Sequence, residues 1–70
     1  MSTHAAHAFI QLQIAKMANS ALPAQDRTFI EGMIEMAVLL EQLPVSDAEC
    51  YREALAVKTG NRIVKLRSAA

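Results

Sequence analysis

With Cys50 as the only cysteine, no disulfide can close within the chain. Aromatic residues make up only 4% of it, and glycine and proline contribute two each, so little breaks a helix. Charge of one sign is also missing. Seven basic and seven acidic residues cancel, and no global field draws the chain to nucleic acid or to a membrane surface. Its longest uninterrupted apolar run, Met36 to Leu40, is far too short to span a bilayer. The opening MSTHAAHAFIQLQ has neither the basic start nor the apolar core of a signal peptide. Together with the single thiol, this predicts a cytoplasmic protein without membrane partners. The chain contains no internal repeat and no low-complexity segment.

What the sequence does have is apolar surface. Apolar residues are 53% of its 70 residues, enough for one domain, 1–70. Domains of this size bury only about 60% of the surface their unfolded chain exposes, and oligomerisation often makes up the shortfall. Ala, Leu, Met, Glu, Gln and Ile dominate, which is helix-forming material. Charge is unevenly spread: residues 26–57 carry a net −5, while residues 58–70 carry Lys58, Arg62, Lys65 and Arg67 and no acid.

The spacing predicts an all-α, three-helix subunit, a helical hairpin followed by a short third helix. A first helix over 3–21 places Ala6, Ile10, Ile14, Met17 and Ala21 on one stripe, with Ala5, Ala8, Leu12 and Ala15 nearly opposite and Phe9 on a third side. A helix apolar nearly all round is buried from more than one direction. Pro23 suits an early position in the second helix, over 24–43, and Asp26 favours its positive dipole end. There Ile30, Met33, Ile34, Ala37 and Leu40 form the main stripe. Phe29, Met36, Leu43 and Val38 widen it, and Glu31, Glu35 and Gln42 face outward. Leu39 falls among the polar residues and Glu41 on the apolar side, where it is either exposed at an edge or paired.

Pro44 stops that helix. Ser46 with Glu49 reads as a capping box flanked by a Val45–Cys50 staple, opening a third helix over 47–59 that Gly60 ends. Its inner stripe is read as Cys50, Ala54 and Val57, with Tyr51 and Leu55 as an edge. The basic tail 60–70 reads equally as a strand, a further helical segment or a mobile arm.

No spacing names a reaction, so no catalytic residue is assigned and an enzyme is not expected. His4 and His7 could share a metal from one helix face, but zinc needs two more ligands and only Cys50 offers itself. Neither metal nor cofactor is therefore expected. Cys50, as the staple residue, is expected to be buried and inert. Glu31 and Glu35 stand four apart without a partner group that would make them an acid–base pair.

The apolar surplus is the feature that decides. A three-helix packing covers one side of each helix, and leaving several Leu, Ile, Met and Phe side chains wet forfeits several kcal/mol at ~25 cal/mol per Å². A homodimer is therefore expected, its core a four-helix bundle of first and second helices contacting through Phe9, Ile10, Leu12, Ile14, Met17, Phe29, Met33, Met36 and Leu40. Glu31, Glu35, Leu39 and Gln42 are the candidate surface for another protein. The alternative is a small DNA-binding regulator. Ala56 and Gly60 have the four-residue spacing of a helix-turn-helix, and Lys58, Arg62, Lys65 and Arg67 could contact phosphates.

The hairpin ANSALPAQDRTFIEGMIEMAVLLEQLPVSDAECYREALAV resembles, in size, helix order and style, the small early-region proteins of transposable Pseudomonas phages. One type of these blocks quorum-sensing transcription factors and pilus-assembly ATPases by direct binding. The resemblance covers most of the chain and carries over no binding residue. It implies a dimeric inhibitor, working in the host cytoplasm, that masks a host transcription factor. An acidic helix face would suit a surface shaped for phosphates.

Overall fold

A computed structural model describes residues 3–69 of the chain. They form three α-helices, α1 (Thr3–Lys16), α2 (Pro23–Leu39) and α3 (Val45–Ala69), and among the described residues there is no strand. The fold is all-α. His7, early in α1, meets Tyr51, and Ser20, just past the segment that follows α1, meets Arg62, so α1 and α3 run in the same direction. α2 runs against both. At about 1.5 Å per residue, α3 accounts for most of the molecule's 41 Å long axis.

The core is a single column. Ile10, Ile14 and Met17 of the first segment meet Ile30 and Ile34 of α2 and Ala48 and Leu55 of α3, and Leu43 closes one end. The predicted first stripe is the one that packs, up to Met17. Ala21 is exposed because α1 ends early: the chain tightens into a 3-10 turn, Met17–Asn19, and becomes extended at Ser20. Pro23 then opens α2 as its first residue, where its missing N–H costs nothing.

α2 stops at Leu39, not at residue 43. Pro44 disfavours helical backbone at Leu43, so the helix must close before it. Glu41 N–H donates to the Val38 carbonyl and Gln42 N–H to the Ala37 carbonyl, at 3.0 and 2.9 Å. This paired closure needs a left-handed residue at Glu41, whose φ is +58°. Glu41 is thus off the helix and in solvent. Leu43, predicted to widen the helical stripe, reaches the core from the loop. Left-handed backbone costs a non-glycine residue about 1–2 kcal/mol. Glu41→Gly is therefore expected to stabilise the fold by about 1 kcal/mol, raising the thermal midpoint by roughly 4–8 °C in a calorimetric scan. Glu41→Ala should give no such gain.

The third helix corrects the sequence reading most. It is the longest element, 25 residues, and passes through Gly60 without a break. Pro44 offers its carbonyl to Ala48 N–H, so α3 begins at Val45. Ser46 and Glu49 lie inside the first turns, not in the predicted capping box. The inward stripe is Ala48, Leu55 and Thr59, continued by half-buried Ile63 and Leu66. Cys50, Ala54 and Val57, predicted to face inward, are exposed. Cys50 is therefore not the buried staple residue, and Val45 is also in solvent. Thr59 is tolerated inside because its hydroxyl donates to the Leu55 carbonyl at 2.7 Å. With α3 unbroken, residues 52–68 contain no helix-turn-helix.

Candidate functional site: the apolar face of the hairpin

On the side of the α1–α2 hairpin away from α3, Phe9, Met33, Met36, Ala37 and Leu40 border a groove of about 250 Å³. Gln42 sits at one end. Phe9 is 43% exposed, Met36 55% and Leu40 61%. Phe29, one turn before Met33 on the same side of α2, is 68% exposed. These large side chains recur at intervals of four and three along α2, so they make one continuous stripe.

The predicted interface residues therefore divide. Phe9, Leu12, Phe29, Met36 and Leu40 are exposed and Met33 is partly so, leaving them free to meet another molecule. Ile10, Ile14 and Met17 are 2%, 5% and 1% exposed. They hold the subunit together and cannot meet a second chain. The short hydrophobic period of α1 does not distinguish these two roles, because both of its sides are apolar.

Glu31, Glu35 and Leu39 share the neighbouring sector of α2. Glu31 accepts a hydrogen bond from Arg27 Nε at 2.7 Å, one turn earlier on the helix, which offsets its charge. Glu35 is exposed, and Leu39 is 76% exposed. Gln42 does not join them, since the chain has left the helix and carries it to the groove.

The basic residues also divide. Lys58, Asn61, Arg62 and Lys65 line an open groove of about 400 Å³ beside Ala18. Arg62 is committed there to structure: its Nε donates to the Ser20 carbonyl at 2.7 Å. By helical geometry Arg67 points well away from Lys58 and Lys65.

Two polar clusters, not foreseen in the sequence, position the hairpin on α3. Tyr51 accepts from Gln11 Nε2 at 3.0 Å and pairs with His7 Nδ1 at 2.7 Å. If Tyr51 donates there, Nε2 of His7 carries the proton and faces Asp47 at 3.6 Å. The two rings meet edge to face, with centroids 5.7 Å apart. Neither of the two grooves includes His7, Asp47 or Tyr51, and the constellation joins α1 to α3. His4 does not join it. Among the described residues, no group of three or more His, Cys, Asp or Glu side chains is placed to hold a metal. Ser20 forms the second cluster. Its hydroxyl donates to Asp26 and accepts from Leu22 N–H, and its carbonyl receives Arg62. These bonds span up to 44 positions, beyond what local spacing can signal.

Among the described residues, no helix is long and apolar enough to cross a membrane. No protein-family model, curated protein or solved structure matches the chain.

Proposed function

We propose that this chain is a non-enzymatic interaction protein that pairs with itself through the hairpin face and masks the surface of a second protein. A host transcription factor is the partner suggested by the phage resemblance. One observation carries the reading: after the subunit has closed its core, Phe9, Phe29, Met36, Leu39 and Leu40 are still largely in solvent. Scattered single apolar residues on a surface are ordinary, but a contiguous patch of large ones marks an interaction site. Self-pairing covers the Phe9–Met36 side. The adjoining Glu35 and Leu39 then flank the assembly, where an acidic rim would steer it to a basic target.

Nucleic-acid binding is the second reading, favoured by the groove at Lys58, Asn61 and Lys65. With Arg62 tied to Ser20 and Arg67 facing elsewhere, Lys58 and Lys65 are the cations left on that face among the described residues. They would give weak, strongly salt-dependent contact with phosphates.

Capture from a bacterial lysate with the tagged chain separates the two readings. Masking predicts one protein recovered in stoichiometric amount, resistant to nuclease. The double variant Glu31→Lys, Glu35→Lys should recover it at least tenfold less well. Recovery of nucleic acid that is lost on raising salt, and on Lys58→Ala with Lys65→Ala, would support the second reading instead. If the charge-reversed chain captures the same protein equally well, those carboxylates serve solubility alone.

A further inference from the structure

Gly32 lies in the middle of α2, where glycine is less favourable than alanine because it gives up more backbone freedom on folding. Nothing inside the subunit calls for it. Its φ is not positive, and a Cβ built at this position meets no atom within 4 Å. The missing side chain makes room toward the outside. That opening is flanked by Phe29 one turn before and Met36 one turn after, which are 68% and 55% exposed.

We infer that a second copy of this chain packs there, with two α2 helices crossing antiparallel on a two-fold axis beside Gly32. This rests on the self-pairing proposed above and specifies its geometry. Phe29 is the projecting side chain, and the groove between Phe9, Met33, Met36 and Leu40 is the cavity. Phe29 and Met36 are seven positions apart, about 10 Å along the helix. An antiparallel mate that sets its Phe29 at the level of Met36 must place the symmetry axis midway, between positions 32 and 33. The residue without a side chain stands where the two backbones come closest. The arrangement is self-complementary, as a two-fold interface must be: each Phe29 enters the other copy's groove and meets a methionine thioether, a favourable sulfur–aromatic contact.

The area is adequate. Taking roughly 200 Å² for a fully exposed large side chain, Phe9, Phe29, Met36 and Leu40 together offer on the order of 450 Å² at their observed exposures. A standard interface takes about 800 Å² from each partner, backbone and rim included. Thr28 and Glu35 lie on the same flank of the seam. In this register each Glu35 comes nearly level with the second copy's Glu31, whose charge Arg27 offsets.

Opposite responses to one substitution test the crossing. Gly32→Ala should raise the thermal midpoint of dilute, dissociated chains by improving the helix, yet weaken the dimer about tenfold or more in sedimentation equilibrium, because a methyl group now separates the backbones. Gly32→Leu should leave single chains with unchanged far-ultraviolet dichroism. In a Cys50→Ser background, Gly32→Cys should form an interchain disulfide under mild oxidation, and Val57→Cys, on α3, should not. A dimer that tolerates Gly32→Leu but is broken by Phe9→Asp would overturn the crossing and leave self-pairing through the hairpin intact. A wild-type chain that stays single throughout the micromolar range would overturn both, leaving the face to a different protein.

Discussion

Leu55→Ala is expected to remove about 2–5 kcal/mol of folding stability, whereas Val57→Ala, two residues on, should change it by no more than about 0.5 kcal/mol. Both are apolar residues in the middle of α3. Leu55 is 0% exposed in the column with Ile34 and Ala48, and Val57 is 59% exposed on the opposite side. A chain of 70 residues has a total stability of about 4–10 kcal/mol. The first substitution therefore consumes a large share of it, and a substantial unfolded fraction is expected at 37 °C. Urea denaturation at one fixed chain concentration measures the contrast, since any self-association adds a concentration-dependent term. Equal losses at the two positions would mean that Val57 packs as closely as Leu55, against the phase of α3 in this structure.

Ser20→Ala is the second large effect, about 1–3 kcal/mol. Ser20 is only 7% exposed, and its hydroxyl is the one group that joins Leu22 N–H to the Asp26 carboxylate across the α1–α2 turn. Removing it breaks two bonds at once, one of them to a charged carboxylate, and leaves Leu22 N–H and Asp26 to water. Asp26→Ala removes the other end of the shorter bond, so the two losses overlap. The double variant should be less destabilised than the two single losses added together, with a coupling of about 0.5–3 kcal/mol from a double-mutant cycle. Strict additivity would show that the turn is held by Pro23 and the helix backbones alone. Arg62→Leu tests the third strand of this cluster. It removes the Nε donor to the Ser20 carbonyl, and with it the polar tether between the far half of α3 and the turn.

Helix number, helix order and the inward stripe of α1 were legible because they depend on local chemistry: Pro23, Pro44 and the recurrence of Ala6, Ile10, Ile14 and Met17. The phase of α3 was not. Ending that helix at Gly60 removes Ile63 and Leu66 from view, and those two residues continue the line of Ala48 and Leu55. Thr59, the remaining member of the line, looks polar in sequence. Only the structure shows its hydroxyl spent on the Leu55 carbonyl, four residues back. Without these three, Cys50, Ala54 and Val57 are the most regular uncharged set and look like the inner face.

At Glu41 the difficulty was of another kind. A left-handed helix terminus ordinarily signals itself by glycine, and a glutamate gives no such sign. The hairpin face was legible in kind and not in membership. An excess of apolar side chains was evident, but which of them the subunit keeps for its own core depends on how α2 and α3 cover α1. Ile10, Ile14 and Met17 went inside, and Phe9, Phe29, Met36 and Leu40 remained out. Gly32 carried no weight in the sequence, since a single glycine within a helical pattern becomes informative only when its surroundings prove empty.

The central claim is that the surface left open on the hairpin is made to be covered. Sedimentation equilibrium of the wild-type chain across the micromolar range addresses it most directly. The expected result is a mass that rises with concentration toward twice the 7.6 kDa of one chain and falls back on Phe29→Asp. A folded species of single-chain mass at every concentration, with the same mass and midpoint for Phe29→Asp, would contradict it.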